Sequence, residues 1–210
     1  MRFLLPCSQT MAASSDNPAF SRVTALAGQR TVHAAFAWLH GNPRIIMDWQ
    51  AELVAIPAPP FGEQARAEWL AARFDEAGLV RVETDEIGNV FGWLQAVNMP
   101  PESTGPVVVL SAHLDTVFPA GAPLKPVVDG DRITAPGACD NGAGVAGMLA
   151  IARALVEAKV ELPAPLIFLG NVGEEVRATC AACVTSINRA RLPAGLRHTS
   201  CWTERARIQP

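Results

Sequence analysis

Three short stretches concentrate the side chains able to do acid–base or metal chemistry. "LSAHLDTV" carries His113 and Asp115, "GACDNGAG" carries Asp140, and "LGNVGEE" carries Glu174 and Glu175. One imidazole among several carboxylates is a donor set suited to a borderline-hard divalent cation such as Zn²⁺. A carboxylate left over beside such a cation could take a proton from water. Each stretch also has an ordinary explanation. A His two residues from an Asp is often a hydrogen-bonded core pair, Asp140 could cap the helix after it, and a Glu-Glu pair is commonly solvated surface. Taken together they differ, because all three follow or open elements that read as buried.

Those elements come in a consistent order. Residues 22–56 read as helix, with Ile46, Trp49, Leu53 and Ile56 on one face. "PAPPFG" breaks the pattern. A second helix starts near Glu63, turns Trp69, Leu70, Phe74 and Ala77 inward, and stops at Gly78. "LVRVET" and "NVFGWL" form a hairpin across "DEIG". "PVVVLSAHLDTV" has the apolar run of a strand buried on both faces. "GACDNGAGVAGMLAIARALVEA" changes to helical period, with Val145, Met148, Leu149, Ala152, Leu155 and Val156 as its stripe. "LIFLGNVGEE" is another buried strand. Helices alternating with buried strands predict an α/β fold, a mixed and largely parallel sheet with flanking helices. In such sheets the strand ends open onto the functional crevice, and that is where His113, Asp115, Glu174 and Glu175 fall.

Composition narrows the class. The chain has 210 residues, 50% of them apolar and 18% charged, which suits a folded domain with a sizeable core. Residues 177–210 hold six Arg against a single acid, Glu204, so the net charge of −3 conceals a basic tail on an acidic body. No aromatic interleaving or known motif makes that tail a nucleic-acid arm. No stretch approaches the ~20 apolar residues of a membrane span, and "MRFLLPC" is too short for a secretory signal. A soluble, cytoplasmic protein is expected, with Met1 or Met11 as its start.

The three stretches resemble the successive motifs of a known group, the co-catalytic zinc hydrolases of metallopeptidase family twenty. Aminoacylases, carnosinase-like dipeptidases, tripeptide aminopeptidases and glutamate carboxypeptidases belong to it. "SAHLDTV", "GACDNGAGVAGML" and "GNVGEE" match in type, order and approximate spacing, and "IPAPPFGE" and "DEIGNVFGWL" are similar to its N-terminal part. The resemblance covers roughly residues 30–175. It implies two divalent metal ions, zinc first and cobalt or manganese as alternatives, and a small peptide or N-acyl amino acid as substrate. It implies that His113 binds one metal, Asp140 bridges both and Glu175 binds the second. Glu174 would be the general base, and Asp115 would hydrogen-bond His113 and fix its orientation. The Asp140–Asn141 peptide is implied to be cis. Gly142 stands where the family often has Lys or Arg.

After Glu175 the likeness stops. Val176 stands where the family has Gly, and periodicity gives way to Arg, Cys and Pro, with Cys180, Cys183 and Cys201 unpaired by any ligand spacing. Back-translated with GC-rich codons and read one base earlier, "VRATCAACVTSIN" can give a text containing "DLRGMRHLY", which is family-like. The expected organisation is therefore a mobile leader over 1–21, the N-terminal part of a catalytic domain over 22–175, and an out-of-frame, poorly structured tail over 176–210. A further carboxylate ligand, a distant His ligand and the family's dimerisation domain are then missing, which leaves each metal two ligands. His198, in Arg- and Pro-rich surroundings, is no substitute. The alternative to an active hydrolase is thus an inactive fragment.

Overall fold

The computed structural model describes residues 18–95 and 107–175. The tail over 176–210, with its three Cys and His198, lies outside the described residues, as do residues 1–17 of the expected leader. Where one long helix was expected over 22–56 there are three: α1 (Pro18–Ala27), α2 (Arg30–Gly41) and α3 (Pro43–Val54). The last residues of the expected leader are therefore helical, starting at Pro18, whose fixed φ suits a first helical position. Gly28 interrupts the run between α1 and α2. The break between α2 and α3 is sharper. Pro43 cannot donate the next helical hydrogen bond and forces Asn42 out of helical geometry, to φ −124° and ψ 36°. Asn42 then donates from Nδ2 to the Trp38 carbonyl at 2.7 Å, covering part of the exposed end of α2.

α4 (Gln64–Ala77) ends at Gly78, which takes φ 87° where a side chain would be strained. The Leu79 amide reaches back to the Phe74 carbonyl at 3.2 Å, closing the last turn. The expected hairpin follows as β1 (Arg81–Thr84) and β2 (Val90–Leu94), paired antiparallel. Its turn is held by Asp85, whose carboxylate accepts the amides of Ile87 and Asn89. Then come β3 (Val108–His113), β4 (Val127–Asp129), β5 (Arg132–Thr134), an irregular helical turn over Ala138–Ala143, α5 (Gly144–Glu157) and β6 (Leu166–Asn171). The small β4–β5 hairpin was not anticipated. "VVDGDRIT" carries the signal for it, an Asp-Gly turn between alternating residues.

The principal sheet runs β1-β2-β6-β3. It is mixed, as expected, but the parallel pairing among the described residues is β3 with β6 alone; β2 pairs antiparallel with β1 and with β6. α4 and α5 cover one face, and α2 and α3 pack over α5. Leu70 and Phe74 of α4, Val145, Met148 and Leu149 of α5, and Val90, Leu114 and Phe168 from the sheet form the main core. Leu155 and Val156, expected in the α5 stripe, are half-buried at its end. β6 is buried along its length, whereas β3, at the sheet edge, leaves Val108 58% exposed. Both strands begin with an apolar run, but among the described residues β6 lies between two strands and β3 has one neighbour.

Two glycines set how closely the helices approach. A Cβ on Gly92 would sit 2.4 Å from Leu79 Cδ1, and one on Gly170 would sit 2.4 Å from Leu70 Cδ2. Their absence of side chains lets α4 lie flat against β2 and β6. That brings the first turn of α4 to the carboxyl ends of β6 and β3.

Candidate metal centre

The parallel β3–β6 ladder sets the site. It pairs His113 with Asn171, the last residue of each strand, so the residues just beyond, Asp115 on one side and Glu174 and Glu175 on the other, leave the sheet side by side. The Glu175 amide donates to Asp115 Oδ2 at 2.7 Å, joining the two strand exits directly. Leu114 continues the ladder by donating to the Asn171 carbonyl at 2.8 Å. Ser111 Oγ donates to Asn171 Oδ1 at 2.8 Å, and the Val172 amide donates to Asn89 Oδ1 at 3.0 Å.

Asp140 arrives from the loop before α5. Gly142 and Gly144 are required there by close approach: a Cβ on Gly142 would lie 2.5 Å from Val54 Cγ1, and one on Gly144 would overlap the Asn141 side chain. Gln50 of α3 donates to the Ala138 carbonyl at 2.8 Å and anchors the loop from the other side. The Asp140–Asn141 peptide is cis, as the family resemblance implied. The result places Asp140 Oδ1 3.0 Å from His113 Nε2.

All five residues singled out in the sequence are thus gathered at one end of the β3–β6 ladder. His113, Glu174 and Glu175 each offer a ligand atom within 4.8 Å of the others. Metal–ligand bonds near 2.0–2.2 Å put coordinating atoms roughly 3–4 Å apart. The His113–Asp140 separation of 3.0 Å falls in that range. One imidazole and several carboxylates converging in this way could hold a divalent cation.

The electrostatics agree. Burial by itself would lower the His113 pKa, but the carboxylates of Asp115, Asp140 and Glu174 outweigh it and push the imidazole up to about 9. Burial also raises Glu175, and repulsion from Asp140 adds to it, only partly countered by His113. Asp115 moves the other way. Burial raises it, but the His113 contact and the Glu175 and Glu174 amides prevail and hold its carboxyl below the usual range. The side chain of Asp115 is fully buried while that of Asp140 is 78% exposed. One carboxylate is fixed and ionised within the fold, and the other faces solvent beside the imidazole.

One contact differs in detail from the expectation. His113 Nδ1 hydrogen-bonds the Asp115 carbonyl at 3.1 Å, while the Asp115 carboxylate stands at ion-pair distance, 3.3 Å, without hydrogen-bond geometry. The orienting partner is the same residue through a different atom.

Sequence reading missed the buried polar residues beneath the site. Arg66 is 1% exposed and Glu63 is 4% exposed. A signal existed for Arg66: it precedes Leu70, Phe74 and Ala77 at spacings of four, four and three, on the inward stripe of α4. Its guanidinium donates to the carbonyls of Ile56 and Leu114, both at 2.9 Å. Burial lowers its pKa to about 10 against the opposing pull of Asp115.

Comparison with known proteins gives a consistent placement. The family model described as Peptidase family M28 matches residues 95–195, a span that crosses Val176, where the likeness read from the sequence alone stops. A Pyrococcus abyssi protein with the provisional name LysW-lysine/LysW-ornithine hydrolase is 35% identical over 124 residues, 59% of this chain and 32% of that protein. The cytosol non-specific dipeptidase of Escherichia coli K12 is 32% identical over 122 residues, 52% of this chain and 24% of the relative. Among solved structures, a tripeptidase of Staphylococcus aureus has a TM-score of 0.53 and 27% identity, covering 64% of this chain and 38% of that one. The chain therefore spans between about a quarter and two-fifths of the length of these three proteins. In sequence and in its mixed α/β fold the chain is similar to part of these peptidases and hydrolases.

Proposed function

We propose that the chain carries part of a two-metal site for hydrolysing amide or peptide bonds in small substrates, a short peptide or an N-acyl amino acid. The carrying observation is the 3.0 Å approach of Asp140 Oδ1 to His113 Nε2 across 27 residues of sequence. His113, Asp140 and Glu175 would hold the metal ions, with Asp140 serving both. Glu174 and Glu175 both stand within reach of His113, and the family resemblance implies Glu174 as the base. Zinc suits the donor set best, followed by cobalt and manganese. When bound, the metals supply Lewis acidity that polarises a substrate carbonyl and makes water a better acid. Glu174 takes the proton from the attacking water and passes it to the departing amine. Asp115, through its carbonyl and its nearby carboxylate, holds His113 so that Nε2 faces Asp140. A peptidase acting on small substrates is supported by the dipeptidase and tripeptidase likenesses, and a cytoplasmic location by the cytosolic relative. No helix among the described residues is long and apolar enough to cross a membrane.

On this assignment each metal finds two ligands among the described residues, one short of the three a catalytic zinc takes. We therefore propose that the 210-residue chain alone turns over little, and that residues 176–210 are read out of the frame of the parent enzyme. The family match running on to residue 195 weighs against a boundary at Val176, and the DNA decides. Family-like text in the neighbouring frame after codon 175 supports a frame change; stop codons soon after it in that frame contradict one. The activity test is hydrolysis of dipeptides and N-acetyl amino acids with Zn²⁺, Co²⁺ or Mn²⁺ supplied, on a sample free of host peptidases. Negligible turnover by this chain is expected, with activity lost on Glu174→Gln once a restored-frame chain is assayed. Vigorous hydrolysis by the 210-residue chain would show that its ligand set is complete. Restored-frame activity insensitive to Glu174→Gln would remove Glu174 from its role.

A further inference from the structure

The two charged residues buried beneath the site are three apart in sequence, one helical turn, where α4 begins. Glu63 Oε1 accepts two amides, from Phe61 at 3.0 Å and from Gly173 at 2.9 Å. Gly173 directly precedes Glu174, and its φ of 70° is the bend by which the chain leaves β6. Arg66 grips the other strand exit: its Nη1 donates to the Leu114 carbonyl at 2.9 Å, between His113 and Asp115, while Nε holds Ile56. Its Nη2 has no hydrogen-bond partner. A buried, partly unsatisfied ion is a poor source of stability, since an apolar side chain of similar volume commonly serves as well. What Glu63 and Arg66 supply is directional: an acceptor aimed at one strand exit and a donor aimed at the other, both on one rigid turn. That turn is seated at fixed depth by Leu70 packing over Gly170.

We propose that Glu63 and Arg66 are positioning residues that hold the exits of β6 and β3 at the separation a shared metal site needs. The proposal rests on the metal-centre reading above. Glu63 sets where Glu174 and Glu175 leave β6. Arg66 sets the backbone between His113 and Asp115, and through Asp115 Oδ2 the Glu175 amide as well. Supporting residues of this kind commonly contribute ten- to a hundredfold to metal affinity.

The test is amide hydrogen exchange by NMR on the metal-free 210-residue chain, paired with a Co²⁺ titration read by visible absorbance. Glu63→Ala is expected to speed exchange at Gly173 about tenfold relative to the amides of β2, and Arg66→Met to do the same at Glu175. Both should weaken Co²⁺ binding about tenfold. Glu63→Gln, which keeps an acceptor oxygen, and Arg66→Lys, which keeps a charged donor, should recover most of that loss. If a truncating variant does not fold, the conservative pair carries the test, with about threefold local effects expected. Protection lost evenly across the sheet, with Co²⁺ affinity of the folded fraction unchanged, would overturn the proposal, because the pair would then act on stability alone. An unmodified chain that binds no Co²⁺ sinks the metal-centre reading. In that case the exchange data still decide whether these two residues hold the strand exits.

Discussion

β3 and β6 are written in almost the same apolar alphabet and end in the same kind of chemistry, yet they live differently in the fold. β6 is central, paired on both sides and buried. β3 is at the edge; Val108 at its start is largely exposed, while Ala112 and Leu114 near its end are buried under the helices. The difference shows where rigidity is concentrated. Both strands are firmly held at their carboxyl ends, where α4 and the parallel ladder meet, and only β6 is held along its length. A site built from strand exits needs only the first kind of support.

The comparison breaks most easily at the core of β6. Phe168 is fully buried and packs against Phe74 with ring centroids 6.2 Å apart. Phe168→Ala is expected to cost about 3–5 kcal/mol, while Leu110→Ala, half-buried on β3, should cost roughly half as much. Urea unfolding of the two variants measures both, and equal losses would mean the edge strand is as firmly packed as the central one.

Gly170→Ala should come next. Its new Cβ would press on Leu70, which is itself fully buried and has nowhere to go. A loss of about 1–3 kcal/mol is expected, the usual cost of overpacking. A melting temperature unchanged from the parent would show that α4 can lift from the sheet.

The two aspartates of the site sharpen the contrast between fold and function. Asp115→Asn replaces a buried, ionised acceptor of the Glu175 amide and should destabilise the metal-free chain by about 1–3 kcal/mol. Asp140→Asn, at an exposed carboxylate, should leave the melting temperature nearly unchanged while sharply lowering Zn²⁺ affinity. Thermal melts with and without Zn²⁺ separate these outcomes. If Asp140→Asn alters stability more than Asp115→Asn, the division of roles is wrong. The smallest effect is expected at Val108→Thr on the open end of β3, within about 0.5 kcal/mol of the parent. A larger loss there would mean that the end is covered in solution.

Much of this arrangement is readable from residues. Gly78 and the inward stripe of α4 mark that helix, and the Asp85 turn marks the β1–β2 hairpin. The order of His113, Asp140 and the Glu pair marks the site, because strand exits and helix entries have local signatures. Four features were not read. The helical text from 22 to 56 hid its break although Asn42-Pro43 announces it, since apolar spacing continues across the proline. The β4–β5 hairpin is only three residues a side, too short for periodicity to register, leaving Asp129-Gly130 as the cue. The edge position of β3 could not be read at all: an apolar run reports that a strand can be buried, while its neighbours are decided by pairing far along the chain. Glu63 looks like an ordinary surface charge of a helix start, and Arg66 like one too unless its place on the inward stripe of α4 is noticed. Their burial follows from the close seating of α4, which depends on Gly92 and Gly170 in other elements.

The central claim is that the exits of β3 and β6 and the Asp140 loop form one divalent-metal site. It is tested most directly by a crystal structure of the chain soaked in Zn²⁺, with anomalous difference maps on either side of the zinc absorption edge. The account predicts an anomalous peak about 2.0–2.2 Å from both His113 Nε2 and an Asp140 carboxylate oxygen, with Glu175 turned toward a neighbouring metal position. Zinc bound only elsewhere, or no peak between His113 and Asp140 at millimolar Zn²⁺, would contradict it.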